Sequence, residues 1–461
     1  MSLFSKIISA ICAFLFAITG LSMSVINFTD GELVPPVDQN YSFNKDRLLI
    51  GGYYGGEGYG QLAADAGIDF IIESGVTKAE LDEYYEAGVG LIVGGYNLNS
   101  LYGNAGDDQI TSWVNLDTAT YKEHPAIWGD DLIDEPTALC YGTLAKAVKS
   151  YRSKFPDKFC LINLFPIYAN EEQLGEKPEL ALSQKVLCAF SQESRENVDK
   201  YKRYVSDYIN TIDTDYICVD IYPYYSDWEN GREVKRTGEW YLANLDILAE
   251  ACRETGRDLW VITQAAGETE TGESKSGAPR YCDEKSDISQ QAYACLAFGT
   301  KAIIHAEFGP KGWWDPATSH LIGGDGQPTE TYYAAQSVNL DLKAFADIYG
   351  TYTYKSTYML NKLRCAGRMG IGDLATTVEG EKAPVTSRNG LVIGTFDGDN
   401  GGKAYVITNM EELNNSVTAK ATFNVPDGKT AVIWQGGKAT TVTEKTEITL
   451  LPGEGVFVEV K

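Results

Sequence analysis

His124-Pro-Ala-Ile-Trp-Gly-Asp-Asp-Leu-Ile-Asp-Glu-Pro-Thr137 runs a short apolar stretch into four carboxylates, Asp130, Asp131, Asp134 and Glu135, and halts at a proline. Directly after it, residues 138–155 place apolar side chains three and four apart, the spacing of an amphipathic helix. The stretch therefore reads as a strand over 126–131 that delivers polar groups to its C-terminal end before a covering helix begins. Pro136 biases Glu135 toward an extended backbone and suits the first position of that helix.

The same unit recurs on both sides. Apolar runs at 48–54, 68–72, 90–96, 126–131, 159–165, 216–222, 259–264 and 301–306 alternate with helical spacing that includes 77–87, 138–155, 197–212, 239–255 and 288–298. Continuous apolar strands separated by amphipathic helices imply a parallel sheet covered on its outer face. Eight such units in about 260 residues have the count and size of a (β/α)8 TIM barrel, with a doubly wound open sheet as the other arrangement. We place the barrel at 40–355, and it includes one further helical pattern at 332–348. Beyond residue 360 the period changes to two, and short strands at 391–396, 403–409, 417–425, 430–434 and 456–460 predict a small antiparallel β-sandwich domain over 360–461. Its turn Phe396-Asp-Gly-Asp-Asn-Gly-Gly402 reads as a hairpin, since the glutamate that closes a calcium loop is missing.

A chain of 461 residues with 44% hydrophobic residues has the apolar surface for one large barrel and a smaller module. The formal charge of -25 repels phosphate backbones and anionic lipid, so nucleic acid is not an expected partner. Residues 1–24 combine Lys6, an apolar run and small residues at Gly20, Ser22 and Ser24, the pattern of a signal peptide; the expected location is secreted or cell surface. An uncleaved N-terminal segment is the one membrane association that the sequence suggests. Eight cysteines remain beyond that segment, spread singly, and Cys160, Cys218 and Cys295 fall in apolar runs as small buried thiols. Neither a metal nor a cofactor is expected. Tyr54-Gly-Gly-Glu-Gly-Tyr-Gly60 lacks the Gly-x-Gly-x-x-Gly spacing of a dinucleotide loop.

In a parallel barrel the C-terminal strand ends meet on one face. Those ends carry Tyr53, Tyr54, Glu73, Tyr96, Asn97, Asn163, Asp220, Tyr222, Tyr224, Gln264, His305 and Glu307 besides the four carboxylates above. Carboxylates, amides and tyrosines suit sugar hydroxyls better than metal or serine chemistry. Glycosidic cleavage needs an acid for the leaving oxygen and usually a second carboxylate, about 5 Å away for retention and further for inversion. Glu135 is the candidate acid.

Trp128-Gly-Asp-Asp-Leu-Ile-Asp-Glu-Pro136 and Ala294-Cys-Leu-Ala-Phe-Gly-Thr-Lys-Ala-Ile-Ile304 resemble the fourth-strand and eighth-strand regions of the β-galactosidase-like clan of (β/α)8 glycoside hydrolases, and the likeness spans residues 45–350. The resemblance implies retaining hydrolysis with an acid/base glutamate ending the fourth strand, here Glu135, and a nucleophile glutamate ending the seventh. The seventh strand, Leu259-Trp-Val-Ile-Thr-Gln-Ala-Ala-Gly-Glu268, departs from that pattern by placing Thr263 or Gln264 there. Glu268 or Glu307 would then supply the missing carboxylate. Alternatively, Asp134-Glu135 resembles the adjacent pair of substrate-assisted N-acetylhexosaminidases, with Asp134 orienting the acetamido group; or the barrel binds carbohydrate without turning it over. In each case the expected partner is an oligosaccharide or polysaccharide. Asp220 would meet its hydroxyls, Tyr222, Tyr224, Trp313 and Trp314 would form sugar platforms, and Tyr54, Tyr96, Asn163, Gln264 and His305 complete the expected substrate-binding residues.

Overall fold

The computed structural model describes residues 46–94, 121, 123–176, 194–229, 232–238, 240–266, 282, 284–310, 320–361, 363, 382–399, 401–413 and 416–461. The expectations placed on residues 1–24, Tyr96, Asn97, Glu268, Trp313 and Trp314 lie outside them.

The first strands in chain order are β1 Leu49–Tyr53, β2 Phe70–Glu73, β3 Gly90–Val93, β4 Ile127–Asp134, β5 Phe159–Leu164 and β6 Tyr216–Ile221. A two-stranded hairpin follows, β7 Tyr224–Glu229 and β8 Arg232–Thr237, and then β9 Asp258–Gln264 and β10 Thr300–Ala306. With the hairpin set aside, the other eight strands pair in sequence order, and β10 closes on β1 with Leu49 opposite Ala302, giving a parallel eight-stranded barrel. Every one of the eight apolar runs is a barrel strand. The hairpin was not expected: its second strand, Arg-Glu-Val-Lys-Arg-Thr, has almost no apolar signal.

The covering helices are α1 Gly60–Asp65, α2 Lys78–Ala87, α3 Tyr141–Lys154, α4 Ser194–Thr211, α5 Tyr241–Thr255, α6 Lys285–Ala297, α7 Glu330–Lys343 and the short α8 Ala346–Gly350. Their ends follow local chemistry. Thr77 and Glu80 form a capping box on α2, Glu284 and Asp287 form one on α6, and the Thr329 hydroxyl accepts from the Tyr332 N–H at the start of α7.

The floor of the barrel is aromatic. Phe159 stacks on Trp260 with ring centres 4.4 Å apart, Tyr216 leans on both of these rings, Phe70 leans on Trp260, and Trp128 meets Phe70 at 5.9 Å. These side chains come from the early part of their strands and fill the interior there, so the open end of the barrel is its C-terminal face.

Beyond the barrel, β11 Tyr352–Leu360, β12 Val385–Ser387, β13 Leu391–Gly398, β14 Lys403–Thr408, β15 Ala419–Phe423, β16 Ala431–Gln435, β17 Lys438–Val442, β18 Thr446–Leu450 and β19 Gly455–Val460 build two antiparallel sheets. One has the order β11-β13-β14-β19-β16-β17 and the other β12-β15-β18. The turn at 398–403 is the expected hairpin, with the Gly398 N–H bonded to the Gly402 carbonyl. In the larger sheet the strands β13, β14 and β19 are buried on both faces. Ile393, Tyr405, Ile407 and Val458 face the smaller sheet, while Val392, Phe396, Ala404, Val406 and Phe457 join the barrel's own core. Phe457 stacks on Phe345, and the Thr357 hydroxyl donates to the Ala297 carbonyl at the end of α6.

Candidate active site

The sequence ended the fourth strand at Asp131, but β4 continues to Asp134. Its ladder to β5 slips between Asp131 and Ile133, so Leu132 is an inserted bulge residue. Asp130 lies on the outer side, where the Tyr151 hydroxyl of α3 donates to it at 2.6 Å. Asp131 faces inward and accepts from the Tyr53 hydroxyl of β1 at 2.8 Å. A regular strand would set Asp131 and Asp134 on opposite faces; the bulge turns both toward the barrel mouth. Neither Asp130 nor Asp131 is a loop charge or a helix cap, since both are almost fully buried. Burial first, and the neighbouring charge of Asp134 second, push the Asp131 carboxyl up to about 7 against the opposing pull of the Tyr53 bond.

Asn163 at the end of β5 ties the next two acids together. Its amide nitrogen donates to Asp134 at 2.9 Å and to Asp220 of β6 at 3.0 Å. Two carboxylates fix the amide orientation, because the reverse would set oxygen against oxygen. Tyr222 follows Asp220 with its ring half-buried, and burial together with the charges of Asp220, Asp134 and Glu135 holds its hydroxyl well above the usual phenol range.

Glu135 is not extended. Its φ is 47°, in the left-handed region, and its N–H donates to the Asn163 carbonyl at 2.8 Å, carrying the β4–β5 ladder one residue past the strand. Pro136 does not begin the helix: a 3-10 turn over Ala138–Cys140 intervenes before α3. The Pro136 carbonyl accepts from the Tyr204 hydroxyl of α4 at 2.8 Å, and that hydroxyl accepts from the Phe165 N–H at 3.2 Å. Tyr204 therefore clamps the turn after Glu135 to the end of β5. Half-buried between the clamp and the Asp134–Asn163–Asp220 chain, Glu135 sits on a rigid, strained support.

Three other candidates stand elsewhere. Gln264 is fully buried; its side-chain oxygen accepts from the Tyr224 N–H at 3.0 Å, and its backbone bonds the Gln291 amide in both directions. Tyr224 is buried as well, with its hydroxyl bonded to the Asp287 carbonyl and to Gln290 of α6, so it anchors the hairpin instead of facing the mouth. His305 points outward from β10, with Nε2 2.8 Å from Asn339 Oδ1 on α7, and burial pushes its imidazole below its ordinary value. Strand parity explains it: Ile304 and Ala306 take the inward positions.

At the β1 exit, Tyr53 and Tyr54 pack edge to face, and Tyr54 has a φ of 58°. The glycine loop after it is held by carboxylates: Glu73 accepts from the Gly55 N–H, and Glu83 accepts from the Gly58 and Gly60 N–H groups at 2.7 Å. Those amides are thus not presented to phosphate. The β10 exit runs alongside, with the Phe308 N–H donating to the Tyr53 carbonyl and the Gly309 N–H to the Tyr54 carbonyl. A side chain at 309 would meet the Gly55 carbonyl oxygen at 2.3 Å, so only glycine permits this approach. Glu307 lies here, 3% exposed, and His320 Nε2 is 3.0 Å from its Oε2. His320 escaped the sequence reading because it belongs to no strand, helix or motif.

Among the described residues, no group of three or more His, Cys, Asp or Glu is arranged to hold a metal ion, and no helix is long and apolar enough to cross a membrane. Cys140, Cys160, Cys218, Cys252, Cys282 and Cys295 are buried thiols.

No protein-family model matches the chain, and no curated protein matches it. Among solved structures, it is similar to a glycoside hydrolase at 10% identity over 90% of this chain and 92% of that one, with a TM-score of 0.51. A glycoside hydrolase family 5 protein from Bacteroides vulgatus is similar at 10% identity, over 90% of this chain and 88% of that one, with a TM-score of 0.48. A β-galactosidase from Bacillus circulans sp. alkalophilus is similar at 7% identity, over 91% and 100%, with a TM-score of 0.46. The first of these likenesses shows a shared fold.

Proposed function

We propose that the chain is an exported glycoside hydrolase in which Glu135 is the general acid. The observation that carries the reading is the backbone of Glu135: a left-handed glutamate at the C-terminal end of the fourth barrel strand, one residue after the Asp134–Asn163–Asp220 chain. Strain of that kind persists where the surroundings over-determine it, and here they hold a half-buried glutamate at the C-terminal end of β4. A solved structure that shares the fold is described as a glycoside hydrolase, which agrees with this reading. Export rests on the pattern of residues 1–24.

In the proposed reaction, Glu135 gives its proton to the glycosidic oxygen as the bond to the sugar ring breaks, and water then supplies the oxygen that bonds the ring carbon and the proton that restores the acid. Asp134 and Asp220 accept from sugar hydroxyls, and Tyr54 and Tyr222 offer ring faces. Glu307 is the second carboxylate. It leaves β10, four strands around the barrel from β4, and so approaches the positive charge developing on the ring from the opposite side. Glu135→Gln is expected to lower turnover of a glycan panel about 100-fold or more. Turnover equal to wild type would remove Glu135 from the role.

Gln264 favours a second reading. With its side-chain oxygen spent on the Tyr224 N–H and no carboxyl of its own, the seventh strand has no nucleophile there, which suits attack by a 2-acetamido group held by Asp134. Hydrolysis of N-acetylhexosaminides but not of the matching 2-hydroxy sugars would select it. Binding of a glycan without product after long incubation would instead leave a carbohydrate-binding barrel.

A further inference from the structure

We propose that His320 is a positioning residue for Glu307, with an imidazolium ring that holds Glu307 as an ionised carboxylate in the barrel mouth. The inference rests on the reading of Glu307 as the second carboxylate.

Both side chains are almost wholly buried, Glu307 at 3% and His320 at 0% exposure. His320 Nδ1 lies 3.2 Å from the Gly309 carbonyl oxygen. A carbonyl only accepts, so Nδ1 carries a hydrogen. A neutral ring would then turn the bare lone pair of Nε2 toward Glu307 Oε2 at 3.0 Å, which is repulsive in a buried site. One further proton resolves the conflict. It could sit on the ring, giving imidazolium and carboxylate, or on Glu307, giving a neutral O–H···N bond. Nε2 has no aligned hydrogen-bond partner among the described residues. A neutral hydrogen bond weakens steeply off its line, whereas a charge pair depends mainly on distance, so the geometry favours the ionised pair.

The frame around the pair is rigid. The Leu321 N–H donates to the Glu307 carbonyl at 3.2 Å and the Ile322 N–H to the Phe308 carbonyl at 2.8 Å. The His320 carbonyl accepts from the hydroxyl of Thr329, the residue that caps α7. Main-chain bonds thus hold both partners and keep the ring at a fixed distance from the carboxylate. A lone buried carboxylate tends to take up a proton and lose its charge, while a fixed imidazolium keeps it anionic without leaving net charge in the interior.

The test uses ring-15N-histidine NMR on the full chain, which has three histidines, with the His320 signal identified by its loss in His320→Gln. At neutral pH, wild-type His320 is expected to carry hydrogen on both ring nitrogens, and in Glu307→Gln to become neutral with hydrogen on Nδ1 alone. In turnover assays, His320→Gln is expected to lower kcat about ten-fold or more with KM changed less than about two-fold. A wild-type His320 that is neutral with hydrogen on Nε2, or one unchanged by Glu307→Gln, overturns the proposal; so does a His320→Gln enzyme with wild-type kcat. Should His320→Gln fail to fold, the change in the Glu307→Gln spectrum identifies the signal and decides the pairing. Should the wild type split no sugar, the hydrolase reading falls and the spectra alone decide the ion pair.

Discussion

Replacing Asp131 with asparagine is expected to stabilise the protein at pH 8, although it removes a carboxylate that accepts a hydrogen bond from Tyr53. Asp131 is 2% exposed, and burial followed by the charge of Asp134 raises its carboxyl from 3.8 to about 7. In the unfolded chain the same group loses its proton near pH 3.9. Between about pH 4 and about 7 the folded protein therefore holds a proton that the unfolded chain has released, so stability from this group is present at acid pH and lost as pH rises through that window. At about 1.4 kcal/mol per unit over about three units, the loss amounts to about 4 kcal/mol. An asparagine of the same shape has no proton to release, still accepts from Tyr53, and brings an N–H₂ to a region that holds Asp134 and an Asn163 oxygen with no hydrogen-bond partner among the described residues. The stability difference between variant and wild type is expected to be small at pH 4.5 and to rise to as much as about 4 kcal/mol at pH 8. Urea unfolding of both proteins at pH 4.5, 6 and 8 reads it, because carboxylates remote from Asp131 cancel in the difference and only its neighbours Asp130 and Asp134 remain coupled to it. A variant less stable than wild type at pH 8, or a difference that ignores pH, would refute the reasoning and mean that Asp131 ionises in the fold without penalty.

Two further changes test the support of Glu135. Tyr204→Phe removes the donor to the Pro136 carbonyl and the acceptor for the Phe165 N–H, and is expected to cost about 1 to 3 kcal/mol in urea unfolding; an unchanged midpoint would show that the clamp contributes nothing. Glu135→Gly relieves a left-handed glutamate worth about 1 kcal/mol of strain, so thermal unfolding is expected at or above the wild-type temperature while turnover is lost. A clear drop in the melting temperature would mean that the Glu135 side chain holds the fold together instead of being held by it.

The barrel was legible because parallel strands are buried on both faces and appear as uninterrupted apolar runs, and all eight did. The β-sandwich was legible for the opposite reason, the period of two, although β13, β14 and β19 proved to be covered on both sides, as Leu391-Val-Ile and Val456-Phe-Val already hinted. What sequence spacing could not carry was side-chain direction wherever the register slips. The bulge at Leu132 has no composition of its own, yet it decides that Asp134 faces the mouth beside Asp131. Parity alone would have turned His305 outward, since Ile304 and Ala306 are the small or apolar inward positions. The assignment of Gln264 to the cleft failed differently: its parity was right, but the hairpin that follows β6 covers it and takes up its side chain. Tyr53, Tyr204 and His320 act through partners distant in sequence, to which no local pattern points.

The central place of β19 in the larger sheet has a consequence for how the molecule is made. Strands leave the ribosome in order, yet β19, the last of them, pairs with both β14 and β16 and joins the halves of that sheet. Until it arrives, β14 and β16 present open edges, and α6, buried along Asp287–Ala297 in the finished protein, lacks Phe457 and its neighbours above it. Nascent chains therefore carry a completed barrel with an uncovered apolar flank for as long as the sheet takes to emerge, and it is in that interval that chaperones or premature association would act on them.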